Sequence, residues 1–141
     1  MNIRPICKND FYKNFTDLLS QLSTTGNITY QNFINIINSL NNNHLIYVIE
    51  DNNKIIASGT LLIENKFIHN CSKVGHIEDI IVDKKYRGYG LGKQIVNYLV
   101  DKSKELNCYK VILNCNEYNK PFYEKMGFTN KNIEMSKYFN I

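Results

Sequence analysis

Three of the chain's seven glycines fall within Arg87-Gly88-Tyr89-Gly90-Leu91-Gly92-Lys93. The segment lies between a strongly apolar run, Ile77 to Val82, and a stretch whose apolar residues (Leu91, Ile95, Val96, Leu99, Val100, Leu106) recur at helical spacing. A strand feeding a glycine-rich turn that opens a helix makes an anion site, because the first helical N–H groups have no intrahelical partner and the helix dipole favours negative charge there. The expected ligand is phosphate. Two nucleotide motifs fail on spacing. A P-loop needs glycine at position 87 and Ser or Thr after Lys93, where the chain has Arg87 and Gln94, and the third glycine of the dinucleotide fingerprint would stand one residue beyond Gly92.

Glu78 and Asp79 are adjacent acids inside the apolar run that leads to this loop. Burying both without partners is costly. A regular strand sends neighbours to opposite faces, so their joint use in one site needs a bulge or the strand's end. Ion pairs with lysines are the alternative.

These groups need a scaffold, and the bulk properties bound it. A chain of 141 residues fits one domain, residues 1–141, with a single core. At 43% hydrophobic and 21% charged it reads as globular rather than disordered. No apolar run reaches membrane-spanning length, and Arg4, Cys7, Lys8 and Asp10 interrupt any apolar leader core, so a cytoplasmic address is expected. A net charge of +4 with dispersed lysines gives no nucleic-acid groove and suits an anionic small ligand. Cys7, Cys71, Cys108 and Cys115 form no C-x-x-C pair or zinc-ligand spacing, so reduced thiols, no disulfide and no metal are expected.

In chain order, Asn2 to Ile6 reads as a short strand. From Asp10 onward Phe11, Phe15, Leu18, Leu19 and Leu22 predict one helix, broken at Ser23 to Asn27. A second helix follows Thr29 as cap, with Phe33, Ile36, Ile37 and Leu40 on one face. Leu45–Glu50 and Lys54–Glu64 form a hairpin across Asp51-Asn52-Asn53. Lys66 to Lys73 is a polar loop, and Val74 to Val82 the strand before the glycines. After the long helix, Tyr109 to Cys115 is a strand parallel to it, completing a β-α-β unit whose loop lies at the strand's carboxyl end. Asn119 to Met126 is a short helix ended by Gly127, and Ile133 to Phe139 is expected to close the sheet.

Arg87-Gly88-Tyr89-Gly90-Leu91-Gly92 resembles the pyrophosphate loop of the GNAT superfamily of N-acetyltransferases, and Asn119-Lys120-Pro121-Phe122-Tyr123-Glu124-Lys125-Met126-Gly127-Phe128 is similar to its second signature. Lys66-Phe67-Ile68-His69, His76-Ile77-Glu78-Asp79-Ile80, Asn107-Cys108-Tyr109-Lys110 and Leu22-Ser23-Thr24-Thr25-Gly26 resemble the branch that acetylates glucosamine 6-phosphate. The likeness runs from Arg4-Pro5 nearly to the C-terminus. It implies an α/β GNAT fold, a mixed and mostly antiparallel sheet with a central parallel pair flanked by about four helices. It also implies a homodimer that uses acetyl-CoA on the route to UDP-N-acetylglucosamine.

The resemblance assigns roles. Backbone groups of Ile80, Ile81 and Val82 would hold the pantetheine arm, and Arg87, Gly88, Tyr89, Gly90, Leu91, Gly92 and Lys93 the pyrophosphate, with Asn114 and Asn119 also on the coenzyme. Tyr123 would act as general acid or hydrogen-bond donor to the departing sulfur; without the signature it would read as a packing residue beside Phe122. Glu78 and Asp79 would contact the sugar and one of them, or a water, take the amine's proton. Ser23, Lys66, Phe67, Ile68, His69, Tyr109, Lys110 and Lys137 would complete the sugar-phosphate site. Two positions depart from the pattern: Asn114 replaces a carboxylate, which leaves its backbone carbonyl rather than a side-chain base to receive the amine, and Lys137-Tyr138 stands where relatives supply an arginine from the partner subunit, with Lys137 as its substitute but without the planar bidentate fork. An acetyltransferase for another amine and a silent acyl-CoA-binding module are the competing readings.

Overall fold

The computed structural model describes residues 1–141. Five strands, β1 (Ile3–Pro5), β2 (His44–Asp51), β3 (Lys54–Asn65), β4 (Lys73–Val82) and β5 (Cys108–Ile112), form one sheet in the order β1-β2-β3-β4-β5. The first four pair antiparallel and β4–β5 is parallel. The helices are α1 (Phe15–Leu19), α2 (Tyr30–Ser39), the single turn α3 (Ile68–Cys71), α4 (Leu91–Glu105) and α5 (Lys120–Glu124). This is the mixed α/β sheet expected from the sequence.

Each face of the sheet carries one core. α4 lays Leu91, Ile95, Val96 and Leu99 over Tyr47, Ile49, Ile56, Leu61 and Ile77. It packs so closely that a Cβ on Gly59 would lie 2.8 Å from both Ile80 Cδ1 and Ile95 Cγ2. On the opposite face α1 and α2 bring Phe15, Leu18 and Phe33 onto Val48, Ile55 and Ile81. Thr29 caps α2 as expected: its side chain accepts from Asn32 N, and Asn32 Oδ1 accepts from Thr29 N, both at 3.1 Å. Asn52 and Asn53 turn the β2–β3 hairpin at φ 49° and 61°, the geometry that a two-residue loop between twisted strands demands.

Two expectations are corrected. The helix predicted from Asp10 to Leu22 is instead a 3-10 turn (Lys8–Tyr12) followed by α1. Asp10 is fully buried and receives both Arg4 guanidinium nitrogens (3.0 and 2.8 Å) and Cys7 N (2.8 Å), which anchors the first turn to β1. Asn14 then takes a left-handed φ of 61°, freeing Lys13 O to accept from Ile55 N at 2.9 Å. The second correction concerns Ile133 to Phe139, which joins no strand. Phe139 is 74% exposed, Ile133 89%, Met135 91% and Tyr138 93%, so β5 is left as the open edge of the sheet.

Candidate active site

The glycine loop, the acids and Tyr123 converge where β4 and β5 part. The parallel register holds from Lys73↔Cys108 to His76↔Ile112; β5 then stops, while β4 continues to Val82. The strand expected to reach Cys115 therefore ends at Ile112, and the chain from Leu113 to Asn116 lines a cleft of about 320 Å³ instead. Ile77, Glu78, Asp79 and Ile80 form one wall, and Leu22, Ser23, Asn119 and Tyr123 complete the lining.

A bulge puts both acids at this cleft. Thr60 pairs with Glu78 but Ser58 pairs with Ile81, so β4 carries one residue more than β3 there. Asp79 takes φ 51° in that extra position. The face assignment changes across it: Ile77 belongs to the α4-side core, yet two residues past the bulge Ile81 belongs to the opposite core, and Ile80 and Val82 pack on the α4 side. The condition set by strand alternation is met by this one irregularity. Glu78 is half-buried and Asp79 exposed.

Tyr123 enters from α5, a helix with proline in its first turn. Its ring meets Phe122 and Phe128 edge-on at 5.0 and 5.9 Å, and the chain closes behind it through Phe128 N to Tyr123 O at 3.2 Å. Burial, and secondarily the neighbouring Cys115, pushes the phenol above its ordinary 10.0. It is thus protonated at neutral pH and able to donate a hydrogen bond.

Gly88 and Gly90 sit at φ 89° and 82°, with nothing within 4 Å of where a Cβ would stand. Glycine is demanded there by conformation rather than crowding. Gly90 is the N-cap of α4 with no side-chain cap, and the helix's first backbone bond is Gln94 N to Gly90 O at 3.0 Å. The amides of Leu91, Gly92 and Lys93 precede it and are left for a ligand. An open surface with free N–H groups at a 15-residue helix fits a phosphate. The Arg87 side chain is exposed, and its Nε donates to Val82 O at 3.0 Å, which ties the loop to the end of β4. A Cβ on Gly92 would touch Phe122 Cζ at 3.4 Å, so loop and Tyr123 helix are immediate neighbours.

The remaining expected site residues lie elsewhere. Lys66 N donates to Ser72 O at 2.8 Å beside the Asn65↔Lys73 pair, which places the Lys66–His69 segment at the opposite end of β4 from the bulge. Lys73 and Glu78 are about 16 Å apart at strand rise. There Lys66 Nζ pairs with Glu64 at 3.0 Å, His69 stacks on Tyr109 with ring centroids 4.1 Å apart, and Lys110 Nζ lies 5.6 Å from the Tyr109 ring. Phe67 is 94% exposed and Ile68 also projects outward. His69, Asn70 and Cys71 all have positive φ (54°, 60° and 58°), so α3 is a left-handed turn rather than the plain loop expected. Lys137 is on the exposed tail. Lys66, His69 and Lys137 do not line the cleft, whereas Lys110 lines an adjoining cavity of about 690 Å³ that shares Asn114, Cys115 and Tyr123 with it. Residues that sequence reasoning passed over reach the cleft: Leu113, Cys115 and Asn116 line it, and Glu134 contacts it through Asn114 (Nδ2 to Oε1, 3.1 Å).

With this geometry in view, likeness to known proteins becomes informative. The sequence profile of the Acetyltransferase (GNAT) family matches residues 8–128. Glucosamine 6-phosphate N-acetyltransferase of Arabidopsis thaliana is 48% identical over 98% of this chain and 96% of its own length, and the Dictyostelium discoideum protein named glucosamine 6-phosphate N-acetyltransferase 1 is 42% identical over 98% and 90%. The crystal structure of the Arabidopsis enzyme superposes with a TM-score of 0.93 over 99% of this chain and 98% of that one. On the profile match, the identities and the superposition, this chain belongs to the GNAT family of acetyltransferases.

Proposed function

We propose that this chain transfers the acetyl group of acetyl-CoA to the 2-amino group of glucosamine 6-phosphate, giving N-acetylglucosamine 6-phosphate, by direct attack within a ternary complex. The observation that carries the reading is the cleft itself, where the bulged Glu78-Asp79 pair and a protonated Tyr123 face one space beside a free-amide phosphate loop. The names of the Arabidopsis and Dictyostelium relatives support the substrate.

Acetyl-CoA would supply an activated acetyl thioester and a thiol leaving group. The amides of Gly88 to Lys93 would hold its pyrophosphate, and backbone groups of Ile80 to Val82, freed where β5 ends, its pantetheine arm. Glu78 and Asp79 attract the acceptor's ammonium, and one of them takes its proton, directly or through water, so that a neutral amine attacks. Tyr123 donates its phenol proton toward the sulfur as the thiolate departs. Positioning supplies much of the rate, and Cys115 need not act as a nucleophile.

A homodimer and a cytoplasmic address belong to the same proposal. Lys66, His69 and Lys137 stand outside the cleft, while Lys110 lines the cavity adjoining it, so a second copy would present the first three. The exposed apolar tail and open β5 edge are the surfaces available for that association. Four free thiols suit a reducing compartment, and no helix is long and apolar enough to cross a membrane.

Thiol release from acetyl-CoA, followed across a panel of amino sugars and small amines, tests the reaction. Saturable release with glucosamine 6-phosphate is expected. Release with another amine only would reassign the acceptor, and binding of acetyl-CoA without release on any amine would favour the silent module.

A further inference from the structure

Asn114 lies where the backbone leaves the sheet after β5, and it lines the cleft with Glu78, Asp79 and Tyr123. Glu134 lies on the tail. Its Oε1 accepts from Asn114 Nδ2 at 3.1 Å, the only hydrogen bond joining residues 129–141 to the rest of the chain. An ionised carboxylate only accepts, so this contact decides which way the amide is turned. Nδ2 is committed to the tail, and Oδ1 remains as an acceptor with no protein donor on it.

We propose that Glu134 is a positioning residue that orients the Asn114 amide so that Oδ1 accepts a hydrogen bond from the acceptor's amino group. The inference rests on the reaction proposed above. A carbonyl oxygen in this place suits the chemistry. It holds the amine both before and after its proton leaves, whereas a third carboxylate beside Glu78 and Asp79 would favour the charged, non-nucleophilic ammonium. Glu134 also makes the amide's orientation definite: a lone Asn side chain can present either nitrogen or oxygen, and only one of these accepts. The tail thereby acts on the amine site from outside the cleft.

Three variants test it, read as KM for glucosamine 6-phosphate, KM for acetyl-CoA, kcat and the pH dependence of kcat/KM. E134A is expected to raise the acceptor KM about fivefold, the effect of one net hydrogen bond, with the acetyl-CoA KM unchanged. E134Q keeps an acceptor oxygen for Nδ2 but can also donate to Oδ1, so it holds the amide without fixing its orientation and is expected to recover only part of the loss. N114D places two carboxylates against each other, so the acidic limb of its profile should move to higher pH, and adding E134Q should move it back. Thermal melts confirm that each variant is folded. An active wild type with E134A unchanged overturns the positioning role alone, as does an N114D limb indifferent to E134Q. A folded wild type inert toward glucosamine 6-phosphate overturns the reaction as well.

Discussion

In the proposed reaction, Tyr123 and Asp79 are the single side chains on which the chemistry turns. Burial raises the Tyr123 phenol above 10.0, so its proton is present throughout the range in which an amine acceptor is being deprotonated. Tyr123→Phe keeps the packing against Phe122 and Phe128 and removes only the hydroxyl. It is expected to lower kcat by about 10²- to 10⁴-fold, the range for loss of one general acid, with the acetyl-CoA KM unchanged. Steady-state kinetics at saturating coenzyme read this directly, and unchanged turnover would exclude Tyr123 as the donor. The same raised phenol predicts that any basic limb of the wild-type kcat profile below pH 10.0 does not come from Tyr123. At Asp79 the backbone is left-handed, and Asn tolerates that geometry as well as Asp does. Asp79→Asn is therefore expected to preserve the bulge and the melting temperature while weakening the acceptor amine, which separates charge from conformation. The adjacency of Glu78 and Asp79 was readable in the sequence as an anomaly in an apolar run. Its resolution was not, because the extra residue appears only when β4 is laid against β3.

The elements that carry local signals were the ones the sequence disclosed. Glycine spacing, helical periodicity and the Asn-Asn hairpin are properties of a few consecutive residues, and α4, its loop and β2–β3 form where those patterns fall. Features set by distant partners were hidden. Arg4 reaches Asp10 and Glu50, 46 residues apart in sequence from the latter, and the resulting anchor splits what periodicity reads as one helix. The end of β5 depends on where β4 diverges, and the tail's strand pattern finds no partner within the chain. In the glycine loop the two kinds of information can be separated experimentally. Gly90→Ala forces a Cβ into φ 82° at the start of α4, costing about 1–2 kcal/mol without a clash. It should raise the acetyl-CoA KM and leave the acceptor KM alone. Gly59→Ala, by contrast, puts a methyl 2.8 Å from Ile80 Cδ1 and Ile95 Cγ2 and should lower stability by about 1–3 kcal/mol through overpacking. Calorimetry alongside kinetics tells the two apart; an equal KM effect from both would mean that the loop works through α4 packing rather than through its own amides.

For the whole molecule, stability and association pull on opposite ends of the sheet. At the β1 end, burial alone would raise the Asp10 carboxyl, but the Arg4 guanidinium and Cys7 N–H outweigh it and hold the carboxyl below its ordinary 3.8. A depressed carboxylate stabilises the fold above its unfolded value, and that contribution is lost as pH falls through the folded one. Acid unfolding should therefore shift to higher pH in Arg4→Met, which also leaves Asp10 buried without its partner at about 3–5 kcal/mol. At the β5 end no strand pairs with the edge, and the tail's Met135, Tyr138 and Phe139 are exposed. If a second copy covers them and brings Lys66 and His69 to the cleft, removing residues 135–141 has a definite outcome. The truncated chain keeps Glu134 and its bond to Asn114, so the amide's orientation is preserved. It should sediment as a monomer, lose the concentration dependence of its melting temperature, and bind acetyl-CoA normally while losing glucosamine 6-phosphate turnover. A full-length chain that is monomeric and active would refute the shared site. A truncated dimer with full activity would place the association on another surface and leave the tail with Glu134 as its one contribution to the reaction.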